Sequence, residues 1–229
     1  MRPFSARLVA AVASLTLLAG CAEWTQPGWE PLFDGSSTAH WRGFRKDAFP
    51  SKGWEIQDGT LHFVAGSGGG DIVTREQYGS FDLRFEWKVS PGANSGVIYR
   101  VSEAFDAPWH TGPEYQVLDD AKHPDGRNPK TSAAAAYALI ARSPEIHPNP
   151  VGEWNQGRIV VRGTHVEHWL NGQKAVEYDS AQAGFLDLVQ KSKFKSLPRF
   201  ARESRGHICL QDHGDSVWYR NIRIQRLNP

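Results

Sequence analysis

Gly206-His207-Ile208-Cys209-Leu210-Gln211-Asp212-His213-Gly214-Asp215-Ser216-Val217-Trp218-Tyr219-Arg220-Asn221-Ile222-Arg223-Ile224 reads as two strands joined by a short loop. Side chains alternate across a strand. Ile208 and Leu210 therefore point one way, and His207, Cys209, Gln211 and His213 the other. The turn-rich Asp212-His213-Gly214-Asp215 holds an imidazole between two carboxylates. The second run alternates again, with Trp218, Ile222 and Ile224 expected on one side. The apolar side builds a core. Gln211 and His213 on the other side have no packing reason and mark a candidate site.

The flanking sequence repeats this grammar. Phe81 to Val89 places apolar residues at odd positions and charged ones at even positions, the pattern of a half-buried antiparallel strand. Asp58-Gly59 and Asn171-Gly172 sit between alternating runs and predict two tight hairpins. Further strands are expected at Asp71–Thr74, Asn94–Val101, Glu114–Asp119 and up to Arg162. Ala133–Ile140 suits a short strand or a helical turn, and Asp187–Phe200 is the one plausible helical insert. Gly68-Gly69-Gly70 lacks a following Gly-Lys-Ser/Thr and reads as a loop, not a phosphate cradle. About a dozen short strands with little helix mean an antiparallel sandwich or barrel, and no repeat period supports a propeller.

The chain of 229 residues, 40% hydrophobic and 22% charged, is long enough for one large β domain. Nine Trp and eleven Phe supply core volume and also surfaces on which sugar rings stack. A formal charge of +1, without a basic cluster, excludes the electrostatic footprint of a nucleic-acid binder. Arg2 and Arg7 precede an apolar run, Leu8 to Leu18, that is too short to span a bilayer. Leu18-Ala19-Gly20-Cys21 resembles a bacterial lipobox. It predicts a signal peptide over 1–20, lipidation of Cys21, a tether over 21–28 and a domain over 29–229. Ala22 and Glu23 after the cysteine favour a lipid-anchored protein of the cell envelope, at the outer membrane where the host has one. With Cys21 lipidated, Cys209 has no disulfide partner and is expected to be a small buried side chain.

Three strands place polar groups at alternate positions. Asn94 and Arg100 share one face, Glu114 and Gln116 another, and Gln211 and His213 a third. Val97, Tyr99, Tyr115, Val117, Ile208 and Leu210 lie opposite. One face of each sheet in a sandwich makes the core. The other is a solvated surface or, where the sheet curves, a cleft suited to a polyhydroxylated ligand. Asp119, Asp120 and Asp125 form a loose calcium-type cluster without EF-hand order. No His-Glu-x-x-His motif is present. No cofactor is required by the motifs, and a divalent metal stays open.

Several stretches together resemble the 3-keto-disaccharide hydrolase domain family. They are Trp29–Gly35, Asn94–Arg100, Glu114–Asp119, Gly152–Asn155, Val166–Gly172 and Gly206–Gly214, spread from about Trp29 to Leu227. The resemblance implies an all-β, concanavalin A-like jelly roll of two curved antiparallel sheets. It also implies a substrate sugar whose C3 hydroxyl has become a ketone. Such a ketone acidifies the C2 proton. Its removal gives an enolate that expels the glycosidic oxygen from C1, and water then adds back. This differs from two-carboxylate glycoside hydrolysis. On that expectation Glu114 and His213 are the acid/base pair. Arg100, Lys130 or a metal would stabilise the enolate. Asn94, Gln116 and Gln211 would hold hydroxyls, and Trp109 and Tyr99 are candidate ring platforms. The alternative is a lipid-anchored carbohydrate-binding module without catalysis, since such folds also host lectins. A glucanase would need closely spaced carboxylates on one strand, and none is present.

Overall fold

The computed structural model describes residues 28–229. The expected signal peptide (1–20), Cys21 and the tether up to residue 27 lie outside the described residues. The strands are β1 (Trp29–Phe33), β2 (Trp41–Gly43), β3 (Trp54–Gln57), β4 (Thr60–Phe63), β5 (Ile72–Thr74), β6 (Phe81–Val89) and β7 (Asn94–Val101). They continue as β8 (Glu114–Leu118), β9 (Asn155–Arg162), β10 (His165–Leu170), β11 (Gln173–Asp179), β12 (His207–Leu210) and β13 (Val217–Arg226). Helix α1 (Ala183–Gln190) lies between β11 and β12. Among the described residues, no helix is long and apolar enough to cross a membrane.

The strands form two antiparallel sheets. The larger has eight strands in the order β11-β10-β9-β6-β13-β4-β3, with β1 also paired to β13. The smaller has five, in the order β2-β5-β12-β7-β8. Phe81, Leu83, Phe85 and Trp87 of β6 meet Val97, Tyr99, Tyr115, Val117, Ile208 and Leu210 of the smaller sheet in one buried cluster. This is the two-sheet sandwich that alternation predicts. Val73, Ile98, Val101 and Cys209 form a second, small apolar cluster with Phe44. Val73, Cys209 and Ile98 pair directly across β5, β12 and β7 on the smaller sheet's outer face, and Val101 joins them past the register irregularity at Arg100.

The two hairpin turns have the backbone their sequences require. Asp58 and Gly59 have φ of 49° and 72°, and Asn171 and Gly172 have 49° and 80°. Positive φ at both central residues matches the right-handed strand twist. In β13 the expected grouping of Trp218 with Ile222 and Ile224 fails. The register shifts between Arg220 and Arg223, where Asn221 has φ 54°. The extra residue reverses the alternation. Val217 and Tyr219 face the core before it, Ile222 and Ile224 after it, and Trp218 stacks outside on His62.

The helical insert starts earlier than expected, at Ala183, and is followed by a 3-10 turn at Lys193–Ser196, where Ser192 Oγ accepts from Phe194 N–H. Ala133–Ile140 forms neither regular strand nor helix. It runs along the free edge of β8 through Ala134 N–H to Gln116 O (2.8 Å) and Tyr137 N–H to Glu114 O (3.1 Å). An edge strand is thereby covered, and Tyr137 is delivered beside Glu114.

Candidate active site

The outer face of the smaller sheet is where the polar side chains gather. A cleft of about 420 Å³ there is lined by Asp71, Asn94, Trp109, Glu114, Gln116, Tyr137, Lys193, Phe194, Gln211, Asp212 and His213. Strand pairing sets the floor. Glu114 lies opposite Ile98, and Gln116 opposite Gly96. Directly paired residues in an antiparallel ladder share a face. The Glu114 side chain lies over Gly96, where any Cβ would collide with Glu114 Oε1. A residue without a side chain is what makes room for this carboxyl.

Glu114 is 8% exposed, on the face that carries Ile98 and Cys209. Burial pushes its pKa up from 4.5 to about 8; Lys193 opposes the rise, while Asp71 and Asp125 add to it. Asp71, just before β5, is pushed from 3.8 to about 6, mainly by burial, against the hydrogen bond that its Oδ1 accepts from Asp212 N–H at 2.8 Å. At neutral pH Glu114 therefore holds its proton and Asp71 has lost its own. Two carboxyls whose surroundings push them to different proton affinities make an acid and a base.

The loop after β12 is held by its carboxylates. Asp212 accepts from Gly70 N–H (2.7 Å) and Gly214 N–H (2.9 Å), and Asp215 accepts from Asn94 N–H (3.1 Å). Both flanking acids are thus backbone clamps, and exposed His213 is presented between them at the cleft rim. Its ring lies edge-on to His123 at 6.4 Å.

Gln116 donates through Nε2 to Thr131 O at 3.0 Å. Its Oε1, Asn94 Oδ1 and Gln211 Oε1 are all buried acceptors with no partner among the described residues. Each such atom costs about 1–3 kcal/mol unless a donor meets it. Three of them around one cleft fit a ligand rich in hydroxyl donors. Lys193 Nζ sits 4.2 Å from the Tyr137 ring, and Tyr137 donates its phenol proton to Asp125 (3.1 Å). Trp109, 40% exposed, offers an indole at the edge.

Three expected participants lie elsewhere. Arg100 has φ 54° at a register irregularity between β7 and β12, which turns it away from the Asn94 face. Its guanidinium donates to Gly79 O (2.9 Å) and Gly163 O (2.6 Å), tying loops at the opposite end of β7. Tyr99 is buried in the core and bonds His168 Nε2 (2.9 Å), so it offers no ring platform. Lys130 is exposed in a turn ordered by Asn128 and does not line the cleft. The cation that does, Lys193, comes from the helical insert. Strand periodicity gives no signal for it. Asp71 heads the expected strand Asp71–Thr74 and stands one residue before the observed one, and alternation alone does not set it apart as a site residue.

The loose calcium-type cluster does not converge either. Asp119 accepts from Gly92 N–H, Asp120 pairs with Arg142, and Asp125 serves Tyr137. Among the described residues the one group with metal-ligand spacing is His165, Glu167 and Glu177, on the β10–β11 hairpin. Lys174 Nζ already lies 3.5 Å from Glu167 and 2.5 Å from Glu177.

Known proteins resemble this chain to different extents. A Bacteroides thetaiotaomicron 3-keto-disaccharide hydrolase is 36% identical over 88% of this chain and 79% of its own length. A Parabacteroides distasonis protein solved as a candidate glycosyl hydrolase superposes with a TM-score of 0.80 at 31% identity, covering 88% of this chain and 94% of that one. A Bacillus subtilis protein with a galectin-like fold, at 11% identity and a TM-score of 0.51 over 88% of this chain and 96% of its own, shares the fold alone. The profile of the 3-keto-alpha-glucoside-1,2-lyase-like domain matches residues 28–225, and this chain belongs to that family.

Proposed function

We propose that this carbohydrate-active hydrolase cleaves 3-keto-glycosides by removal of the C2 proton, elimination and hydration. Asp71, ionised at neutral pH, takes the C2 proton, and the electron pair delocalises into the C3 carbonyl as an enolate. The enolate collapses to re-form the ketone and a C1–C2 double bond as the C1–O bond breaks. Glu114 gives its proton to the departing oxygen. Water then adds to C1, a proton returns to C2, and the net change is hydrolysis. Lys193 is the cation available for the enolate oxygen. The unpartnered oxygens of Asn94, Gln116 and Gln211 take sugar hydroxyls, and His213 contacts the substrate at the rim. This divides the work differently from the sequence expectation, because a buried carboxyl that keeps its proton serves as the acid.

The observation that carries the reading is that two carboxyls, Asp71 and Glu114, line one cleft beside Lys193, with burial pushing the first toward about 6 and the second toward about 8. A non-catalytic glycan-binding module explains the amides but gives no reason for two carboxyls held at different proton affinities. The test is release of aglycone from a 3-keto-glucoside and from its unoxidised parent, with and without chelator. Wild-type protein should act on the keto sugar alone. Asp71→Asn and Glu114→Gln should each lose at least about 100-fold, the ordinary contribution of a general acid or base. Full activity in both variants would remove the pair. We also propose, from the lipobox-like Leu18-Ala19-Gly20-Cys21 alone, that lipid on Cys21 holds the protein at the cell envelope, which mass spectrometry of the mature N-terminus tests.

A further inference from the structure

The larger sheet has its own recess on the outer face, remote in topology from the cleft just described. Adjacent strands there set three arginines side by side. Arg158 of β9 pairs with Arg84 of β6, and Arg84 pairs with Arg223 of β13. Trp169 of β10 lies opposite Arg158 and completes the row. Like charges directly opposite one another destabilise a sheet. Asp82 takes Arg158 in a two-bonded pair (2.8 and 2.7 Å) but reaches Arg84 only at 3.4 Å. Arg84 Nε is buried without a hydrogen-bond partner among the described residues. Glu86, the next acid along β6, is bound to Arg220 (2.7 Å) and Asn221 (2.9 Å).

Indoles frame the row. Trp29 lies beneath Arg84 and Arg223, with ring distances of 4.7 and 5.3 Å, and Trp169 lies 5.3 Å from the Arg158 guanidinium. The Trp169 N–H is fixed by a 2.8 Å bond to Glu167. The arginines and Trp169, together with Gln156 and Asn221, line a groove of about 450 Å³.

We propose that this groove binds the carboxylate of an acidic sugar residue, a uronate within an oligosaccharide. Guanidinium forks match a planar carboxylate, an indole face matches a pyranose ring, and side-chain amides match hydroxyls. A recess with partly buried arginines on a rigid sheet fits one ring of a chain better than it fits a bilayer, which favours protruding lysines and apolar tips. Bound there, an acidic glycan would hold the enzyme on its polymer while the opposite sheet works, raising the local substrate concentration.

The experiment is calorimetric titration of the full-length protein with tetragalacturonate, with maltotetraose as the neutral control. Sedimentation with phosphatidylglycerol vesicles runs in parallel. Saturable, salt-sensitive binding of tetragalacturonate alone is expected. Arg84→Gln and Trp169→Ala should each weaken it by about tenfold or more, as loss of a charge-assisted bond or a ring platform does. Arg84→Lys, which keeps the charge and loses the fork, should fall between. Turnover of a small uncharged substrate should stay unchanged in all three, which also reports that they fold. Absence of saturable binding, equal affinity for maltotetraose, or undiminished binding by folded Arg84→Gln would overturn the proposal. Vesicle binding that Arg84→Gln abolishes, without tetragalacturonate binding, would overturn it too and assign the face to a membrane.

Discussion

Replacing Glu114 by glutamine should change how stability depends on pH more than it changes stability at any low pH. In the folded protein this carboxyl is held at about 8, against 4.5 for an exposed one. Between those values the folded state binds a proton that the unfolded state has released. Stability must therefore fall as pH rises through that window. The gap corresponds to roughly 5 kcal/mol fully developed above pH 8, an upper figure that relaxation around the charged form will reduce. The amide introduced by Glu114→Gln cannot ionise and occupies nearly the same volume over Gly96. The two proteins should match at about pH 3.5 and differ by about 1 kcal/mol at pH 5. By pH 8.5 the variant should be more stable by several kcal/mol, a large share of the ~5–15 kcal/mol that holds a domain together.

Urea unfolding at a series of pH values, with the slope of each transition checked for constancy, reads this difference directly. Asp71 contributes a loss of the same sign at lower pH, between 3.8 and about 6. It is present in both proteins, so subtraction removes it. Parallel curves from pH 5 to 8.5 would show that Glu114 is not a proton-holding acid, and its proposed catalytic part would go with them.

Other consequences of the geometry are open to measurement. Activity should follow a bell in pH with limbs near about 6 and about 8, since Asp71 must be ionised and Glu114 protonated. Lys193→Met removes the cation that opposes the Glu114 shift, so turnover should drop and the alkaline limb should move up. Gly96→Ala drives a methyl into Glu114 Oε1 and should displace the carboxyl, costing about 1–3 kcal/mol and most of the activity, read by urea unfolding and turnover. Arg100→Ala should cost about 1.5–3 kcal/mol in urea unfolding through its lost carbonyl bonds, while kcat of the folded fraction is unchanged.

Most of the sandwich was legible because period-two alternation and Asp-Gly or Asn-Gly turns are local signals. Phe81–Val89 alternates without interruption, and both hairpins form where written. Errors arose where the backbone departs from the regular ladder. Asn221 and Arg100 have left-handed φ values, and each reverses or redirects the side chains that simple alternation assigns. A bulge at a non-glycine residue leaves no compositional mark. Asn94, Glu114, Gln116, Gln211 and His213 line the cleft because they stand on, or just beyond, three adjacent strands. Lys193 and Tyr137 could not be placed that way, since they arrive from an insert and an edge-covering loop.

The cleft is costly to the fold that carries it. Glu114 is buried with its proton affinity raised, and three amide oxygens lack partners among the described residues. Cys209 on the same face is pushed further from ionisation by Asp71 and Glu114, after burial itself, so it is an inert floor and not a nucleophile. None of these features helps the sandwich, whose core on the other face is filled by Val97, Tyr115, Val117, Ile208 and Leu210. Two faces of the same strands therefore serve opposed ends. The inner residues secure β7, β8 and β12 tightly enough for the outer ones to hold an uncharged carboxyl and open acceptors in place. This explains why the acid sits on a strand and not on a mobile loop: a group kept protonated by burial works only while its surroundings cannot relax to solvate it. Loosening the inner packing, for example by Val117→Ala, should lower the Glu114 pKa toward its ordinary value before it unfolds the protein. A downward move of the alkaline limb in a still-folded Val117→Ala variant would show that coupling, and an unmoved limb would refute it.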